Sequence, residues 1–443
     1  MDKRDATIAA LATPPGIGGI AIVRISGDRA EEFLHKVFKP LKADAPWESH
    51  RMLYGKVYDQ EEVVDECMAV IMRAPRSYTR EDVAELQLHG GEYIAQRVLK
   101  LLYSLGAEPA LPGEFTRRAF LNGRLDLSRA EAVMSIVSAQ GTKASKAAMR
   151  QLQGGAFTFI HAIQKELVDM LSGIEAALDF PDEVDEVQTV EEMAQRAAAL
   201  SEKLDSACNE RSARFLDAGM EVIIFGPPNV GKSSLFNALM MEERAIVTDI
   251  PGTTRDIVHG SILIDGLRIN LSDTAGIHEN AENIEKIGVE RAIGAMHNAD
   301  LLLVVVDGGS PLTREEHVLL GQTEDKPRIL LQSKSDLSAL PYLEDAILFS
   351  AHTGEGMDQV KAAIVKAAGD PLDSQLTLER HILLACQAAE ALDEATTALQ
   401  QGDSIELCAV HLQTALRTLG RITGDHVDEE LLDAVFSNFC VGK

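Results

Sequence analysis

MEVIIFGPPNVGKSS, residues 220–234, is the stretch on which the reading of the fold turns. An apolar strand over Val222–Phe225 runs into a glycine loop that matches GxxxxGK[ST] from Gly226 to Ser233 and opens a helix near Ser233. That strand–loop–helix order is the context the motif needs. Gly226 and Gly231 let backbone N–H groups converge on phosphate oxygens, and the helix N-terminus adds the positive end of its dipole. Lys232 is expected to reach the β and γ oxygens of a nucleotide, and the Ser233 hydroxyl to ligate Mg2+.

Further parts follow in the right order. Thr253-Thr254-Arg255-Asp256 sits in a Gly/Pro-rich loop before a strand, where a first switch would lie. Asp273-Thr274-Ala275-Gly276 follows the strand Ile269–Ser272; its aspartate can hold the metal through water, and its glycine can lend an N–H to the γ-phosphate. Base choice falls to Ser333-Lys334-Ser335-Asp336, after the apolar strand Arg328–Gln332. A carboxylate there accepts from guanine N1–H and the 2-amino group, which adenine cannot supply. Serine at 333 replaces the asparagine usual in NKxD and is expected to weaken the contact to guanine N7. Ser350-Ala351-His352 would read guanine O6 through its backbone. GTP or GDP is therefore the expected ligand, held by these segments and by Asn229, Val230, Gly231 and Ser234 of the loop. The residue after Asp273-Thr274-Ala275-Gly276 is Ile277, which cannot orient water as a glutamine would. Glu285 and Glu290 are candidates for that work, although on the residues alone a solvated helix position fits either better.

Outward from this centre the texture changes. Residues 1–118 mix short β-rich runs (Gly19–Ile25, Cys67–Met72, Val83–Leu88) with Gly/Pro punctuation and one helical stretch, Glu92–Ser104, which predicts an α+β domain. Residues 119–216 carry helical periodicity in LSRAEAVMSIVSAQ, KAAMRQLQGGAF and FIHAIQKELVDMLSGIEAAL, the last ended by Pro181, and in one more helix from about Val190 to Phe215. Between 217 and 370 strands alternate with helices, predicting a doubly wound, mainly parallel sheet: a Ras-like P-loop G domain. Residues 371–443 are helical again. A helical domain interrupted by the G domain is the simplest account.

Composition narrows the class. Apolar residues make up 46% and charged residues 25% of 443, enough for a real core. No apolar run approaches the ~20 residues of a membrane span, and no signal peptide is evident. Cys67, Cys208, Cys386, Cys408 and Cys440 are scattered without a CxxC pair, which predicts reduced thiols and a cytoplasmic location. With 42 basic against 69 acidic residues the net charge is −27. Such a chain repels polyanions at long range, so any RNA substrate needs a local basic surface or a basic partner.

The chain resembles the MnmE (TrmE) family of tRNA-modification GTPases, of the TrmE-Era-EngA type, over essentially its whole length. The resemblance is carried by ATPPGIGGIAIVRISG (12–27), EDVAELQLHGG (81–91), PGEFTRRAFLNGRLDLSRAEAV (112–133), IEAALDFPDE (174–183), TDIPGTTRD (248–256), DTAGI with IEKIGVERA, and the terminal FSNFCVGK (436–443). It implies a folate-binding, dimerising N-terminal domain, with Arg24, Glu85, Arg124 and Lys443 lining a site for 5-formyltetrahydrofolate or a related folate. Family members often have lysine at the position of Arg124, which keeps the charge. The resemblance also implies a homodimer whose G domains pair around K+, held by Asn229 and the backbone of Thr248, Ile250 and Thr253. Glu285 becomes the catalytic glutamate beside Lys232, and Mg2+ falls to Ser233 and Thr254. Cys440 is a possible site or redox thiol. The implied work is carboxymethylaminomethyl modification of the wobble uridine at carbon 5, shared with a flavoprotein of the MnmG (GidA) family; the net charge of −27 then points to that partner for most of the tRNA binding. The rival is a ribosome-assembly-type GTPase switch; such proteins share the P-loop but lack the N-terminal block and the FCVGK ending.

Overall fold

The computed structural model describes residues 6–179, 186–242, 258–273, 299–337, 343–370, 372, 374–401 and 404–443. They form two compact units: residues 1–134 with 160–164 and 417–443, and residues 135–159 with 165–416. Among the described residues no helix is long and apolar enough to cross a membrane.

The first unit is built on a seven-stranded sheet. Its strands are β1 (Ile8–Leu11), β2 (Ile20–Ser26), β3 (Phe38–Pro40), β4 (Leu53–Asp59), β5 (Glu62–Met72), β6 (Val83–His89) and β7 (Glu108–Pro109). They lie in the order β3-β4-β5-β6-β2-β1-β7, antiparallel throughout except for β1 beside β7. Side chains alternate across such a sheet. Ala21, Val23 and Ile25 of β2 and Ala84, Leu86 and Leu88 of β6 enter one core with Phe33, Leu34 and Val37 of helix Ala30–Val37 and Val98, Leu99 and Leu102 of helix Glu92–Ser104. The opposite face belongs to a smaller cluster in which Ile8 and Ala10 meet Phe115 of helix Glu114–Leu121 and Tyr78. The C-terminal helix Glu429–Ser437 adds Leu432 and Phe436, and Phe439 just beyond it joins them against Leu127 and Ala130. Beyond it, Val441 bridges to Pro112, so the last residues leave the helical state expected of 371–443.

The second unit holds a six-stranded sheet: β8 (Met220–Phe225), β9 (Val258–Ile264), β10 (Leu267–Asp273), β11 (Leu301–Val306), β12 (Arg328–Gln332) and β13 (Ile347–Leu348). The order is β13-β12-β11-β8-β10-β9, parallel except for the β9–β10 hairpin, as a doubly wound sheet requires. All six residues of β11 are buried, the unbroken apolar run of a central parallel strand. The single helix expected over Val190–Phe215 is two, Glu186–Ala207 and Glu210–Asp217. Asn209 separates them: its side chain accepts from the Ser212 N–H at 3.0 Å and starts a new helix. Helix Thr142–Leu152 meets the β9–β10 turn, where the Lys143 N–H donates to Gly266 C=O at 3.1 Å.

Gly113 shows how tightly the C-terminal helix is held. It has φ 66°, and a Cβ there would lie 2.8 Å from the Phe436 carbonyl oxygen and 2.9 Å from the Phe439 Cβ. Gly113→Ala is expected to cost about 1–3 kcal/mol through overpacking and strain. Thermal unfolding should register this as a midpoint lowered by roughly 2–4 °C per kcal/mol. An unchanged midpoint would mean that the helix does not bear on this turn.

Candidate functional site

Four parallel strands deliver the nucleotide-site residues to one edge of the second unit's sheet. The chain leaves β8 at Gly226, where a Cβ would stand 2.3 Å from the Val305 carbonyl oxygen, so only glycine fits. Asn229 (φ 63°) and Gly231 (φ 102°) turn the loop through left-handed backbone, and helix Lys232–Glu242 begins at once. The helix thus presents its first N–H groups beside the loop, an arrangement suited to phosphate. Lys232 is 5% exposed, and its Nζ donates to Pro227 C=O at 2.6 Å. Burial lowers its pKa, while the Asp273 carboxylate works in the opposite sense. The Ser233 hydroxyl donates to Asp273 Oδ2 at 2.8 Å. A hydroxyl and a carboxylate meeting there are hard oxygen donors that fit Mg2+, which binds through few protein oxygens plus phosphate.

The base-side loop is tied to the phosphate loop by Ser333. Its hydroxyl, in a residue 2% exposed, lies 2.6 Å from Val230 C=O and 3.1 Å from Val306 C=O. The single proton is thus engaged within the protein, chiefly with the P-loop. The serine acts as a brace between two loops, a role the sequence did not suggest. Lys334 (φ 60°) ion-pairs with Asp307 Oδ2 at 2.7 Å, and the Asp307 N–H donates to Glu316 Oε1 at 2.9 Å. Asp336 is exposed. A hydrogen bond from Ser350, aided by the charge of His352, holds its carboxyl below the usual range and keeps it an acceptor. Ala351 lies between those two, in the loop after β13. Thr248, Ile250, Thr253, Thr254, Thr274, Ala275, Gly276, Glu285 and Glu290 lie outside the described residues.

The first unit brings a second group together. Arg24 and Glu85 stand directly opposite each other on β2 and β6. Val23 and Ile25 on one strand, and Ala84 and Leu86 on the other, are buried in the helix-covered core. Arg24 and Glu85 therefore share the other face, where Arg24 Nε donates to Glu85 Oε1 at 2.8 Å. Arg24 Nη1 also donates to Gly442 C=O at 3.2 Å, which brings the chain terminus, and Lys443 next to it, to this place. Tyr78 and Phe115 wall the arginine, each ring centroid 5.6 Å from its guanidinium carbon. Arg124 stacks on Tyr78 at 4.6 Å and donates to its carbonyl at 2.8 Å. Guanidinium, carboxylate and aromatic walls can take a flat heterocycle with hydrogen-bonding edges, and a carboxylate-bearing tail.

Pro227, Asp307, Tyr78 and Phe115 were not singled out by sequence. Tyr78, the one aromatic in Arg76-Ser77-Tyr78-Thr79-Arg80, carries the only signal that could have marked them. Cys440 is exposed, and its carbonyl accepts from the N–H groups of Gly113 and Lys443. All five cysteines are free thiols; burial pushes Cys67 up to about 12 and Cys408 to about 11, which leaves both inert at neutral pH.

Comparison with known proteins agrees across the chain. Residues 7–124 match the family described as GTP-binding protein TrmE N-terminus, and residues 127–440 the family described as MnmE helical domain. The chain is 40% identical to a tRNA modification GTPase MnmE of Lactiplantibacillus plantarum, covering 99% of this chain and 98% of that one. It is 41% identical to another from Synechococcus sp., covering 100% of both. Among solved structures, the G domain of the T. maritima FeoB iron transporter is 30% identical, covering 34% of this chain and 98% of that one, at a TM-score of 0.27.

Two substitutions test the base-side geometry. Asp336→Asn replaces an acceptor by a donor, so GTP binding should weaken by about a hundredfold or more while xanthosine triphosphate, with an oxygen at C2, should bind better. Competition binding with the two nucleotides reads this directly; unchanged preference would place base recognition elsewhere. Ser333→Ala leaves the Val230 carbonyl without its donor and should cost about 1–3 kcal/mol of stability, read as a lower denaturant midpoint with GDP affinity reduced alongside.

Proposed function

The chain belongs to the MnmE family of tRNA modification GTPases, and from that premise we propose a K+-dependent GTP hydrolase. It works with an MnmG-type flavoprotein in carboxymethylaminomethyl modification of the wobble uridine of tRNA. The observation that carries the reading is the meeting of Ser233 and Asp273 beside a buried P-loop lysine, at the edge where the base-side loop also begins.

In this reading Lys232 and the loop N–H groups bind the β and γ oxygens, and Asp336 holds guanine by its N1–H and 2-amino group. Ser233, with Thr254, would hold Mg2+, which neutralises charge on the β and γ oxygens. Asn229, with backbone oxygens of Thr248, Ile250 and Thr253, would hold K+ near the phosphates, a fixed positive charge where an arginine finger acts in other enzymes. Glu285 orients the attacking water; Ile277, beside the Asp273 motif, has no group to do so. Water adds to the γ-phosphorus, the bond to the β–γ bridging oxygen breaks, and GDP and phosphate leave.

The Arg24–Glu85 site, with Arg124 and Lys443, takes 5-formyltetrahydrofolate or a related folate. Glu85, with Arg24 beside it, accepts hydrogen bonds from the pterin edge, and Arg124 offers its guanidinium to the anionic end. The G domain, residues 217–370, is inserted between helical segments 119–216 and 371–443, and the folate domain, 1–118, pairs two chains. The flavoprotein supplies most of the tRNA contact to a chain of net charge −27.

GTP hydrolysis by the purified chain in matched KCl and NaCl buffers with Mg2+ tests the central claim. The rate should be many-fold higher in K+ and should collapse in Glu285→Ala. Equal rates in both salts would remove the cation site at Asn229 and leave an ordinary GTPase.

A further inference from the structure

An open trough of about 500 Å³ in the first unit is lined by His50, Pro75, Arg76, Tyr78, Arg80 and Arg124. Its cations stand out by what they lack. Neighbouring arginines are paired: Arg51 with Glu48, Arg73 with Glu31, and Arg118 with Glu81 and Glu114. Arg80 instead donates to Asn122 C=O and Arg124 to Tyr78 C=O, both neutral acceptors. Among the described residues Arg76, Arg80 and Arg124 have no carboxylate partner, in a chain whose 69 acidic residues outnumber its 42 basic ones. Like charges gathered on one concave surface repel one another, so the arrangement is best suited to an anion that bridges them.

The trough borders the Arg24–Glu85 site at one residue. Tyr78 lines the trough, carries Arg124 over its ring at 4.6 Å, and lies 5.6 Å from the Arg24 guanidinium carbon. A ligand seated against Arg24 and Glu85 with its anionic end outward would pass Tyr78 and enter the cationic trough. We infer that this trough binds the γ-linked oligoglutamate tail of a folate, so that the chain selects the polyglutamylated form of its one-carbon donor. The inference rests on the folate reading given above and extends it to the anionic tail of the ligand. Such a tail carries one α-carboxylate per residue on a flexible amide chain, and carboxylates suit the planar fork of arginine. The open form of the trough tolerates tails of different length.

The test is direct binding of 5-formyltetrahydrofolate, as mono- and pentaglutamate, to the full chain at low salt. Wild type is compared with Arg76→Ala/Arg80→Ala, since both residues are exposed and neither belongs to the machinery assigned above. The pentaglutamate should bind wild type at least about tenfold more tightly, equivalent to about 1.4 kcal/mol. The ratio should fall towards one in the double variant, with monoglutamate affinity unchanged. Equal affinities of the two forms for wild type would overturn the tail site and leave the folate reading standing. No binding of the monoglutamate to wild type would bring down that reading and the inference with it. A ratio that survives in the double variant while tRNA retention in a gel shift is lost would overturn the inference and make the trough an RNA-backbone contact.

Discussion

Ile224 pairs with Asp273, Phe225 with Val304 and Val306 with Gln332 across four parallel strands, and the nucleotide site depends on that register. Because the strands run the same way, the loops that leave them all start at one edge, the crevice where doubly wound sheets bind ligands. The P-loop, Asp273, Asp307 and Ser333 are therefore neighbours although more than a hundred residues separate the first from the last. Hydrogen bonds then fix the loops to each other: Ser233 to Asp273, Ser333 to Val230, Lys334 to Asp307. Close backbone approach limits what can stand at the turn. Gly226 is held against Val305, and Gly308 would place a Cβ 2.0 Å from the Ser333 carbonyl oxygen. A side chain at either position would push apart the strands whose spacing aligns the site.

The first unit solves a similar problem with antiparallel strands. There a period of two does the sorting, since every second residue of β2 and β6 must face the helices. That requirement sends Arg24 and Glu85 to the other face, and the pairing of β2 with β6 puts them side by side. The covering of that face is polar as well as apolar. Arg118, 7% exposed in its side chain, joins Glu81 to Glu114, and Glu81 accepts from the Ser26 hydroxyl at 2.7 Å. Removing one member of such a network leaves a buried charge uncompensated, so the network holds its position more than it adds net stability. The segment from Arg73 to Asp82, which carries Tyr78 and two of the trough arginines, is thereby anchored to the sheet. The chain terminus is anchored too: a Cβ on Gly442 would meet Leu11 C=O at 2.2 Å.

The G domain was legible because its chemistry is local. The P-loop, the Asp273 motif and the Ser333–Asp336 segment each form a recognisable pattern in consecutive residues, and unbroken apolar runs mark the strands behind them. Helix Glu92–Ser104 and strands β2 and β6 were legible for the same reason, as one strong period within one segment. Strands β1 and β4 were not, being a short run, IAAL, and an irregular one with a register shift between Val57 and Tyr58. The break at Asn209 was missed because helical periodicity runs on through it, and only the capping bond reveals the restart. The brace at Ser333 was invisible, since nothing in a sequence says which carbonyl a hydroxyl meets. Arg24, Glu85 and Gly442 come from positions 61 and 418 residues apart. Without the family resemblance no local pattern sets them apart from ordinary surface residues.

Charge explains why recognition in this chain has to be short-ranged. At a net −27 the far field repels every polyanion, whether nucleotide, folate tail or RNA. At physiological salt that repulsion is screened beyond ~8 Å, so what a ligand meets on arrival is the local arrangement. Lys232 is the extreme case. It is buried, which disfavours its charge, while the Asp273 carboxylate works in the opposite sense and the Pro227 carbonyl accepts a hydrogen bond from its Nζ. A cation held in that way has lost much of its hydration already and interacts strongly with a phosphate at contact distance. The trough arginines are the opposite case, exposed and hydrated, individually weak and effective only in number. One site therefore gains from desolvation and shape, the other from multiplicity, and salt should act on them differently. A chain this acidic can still bind anions tightly, but only at places built for them.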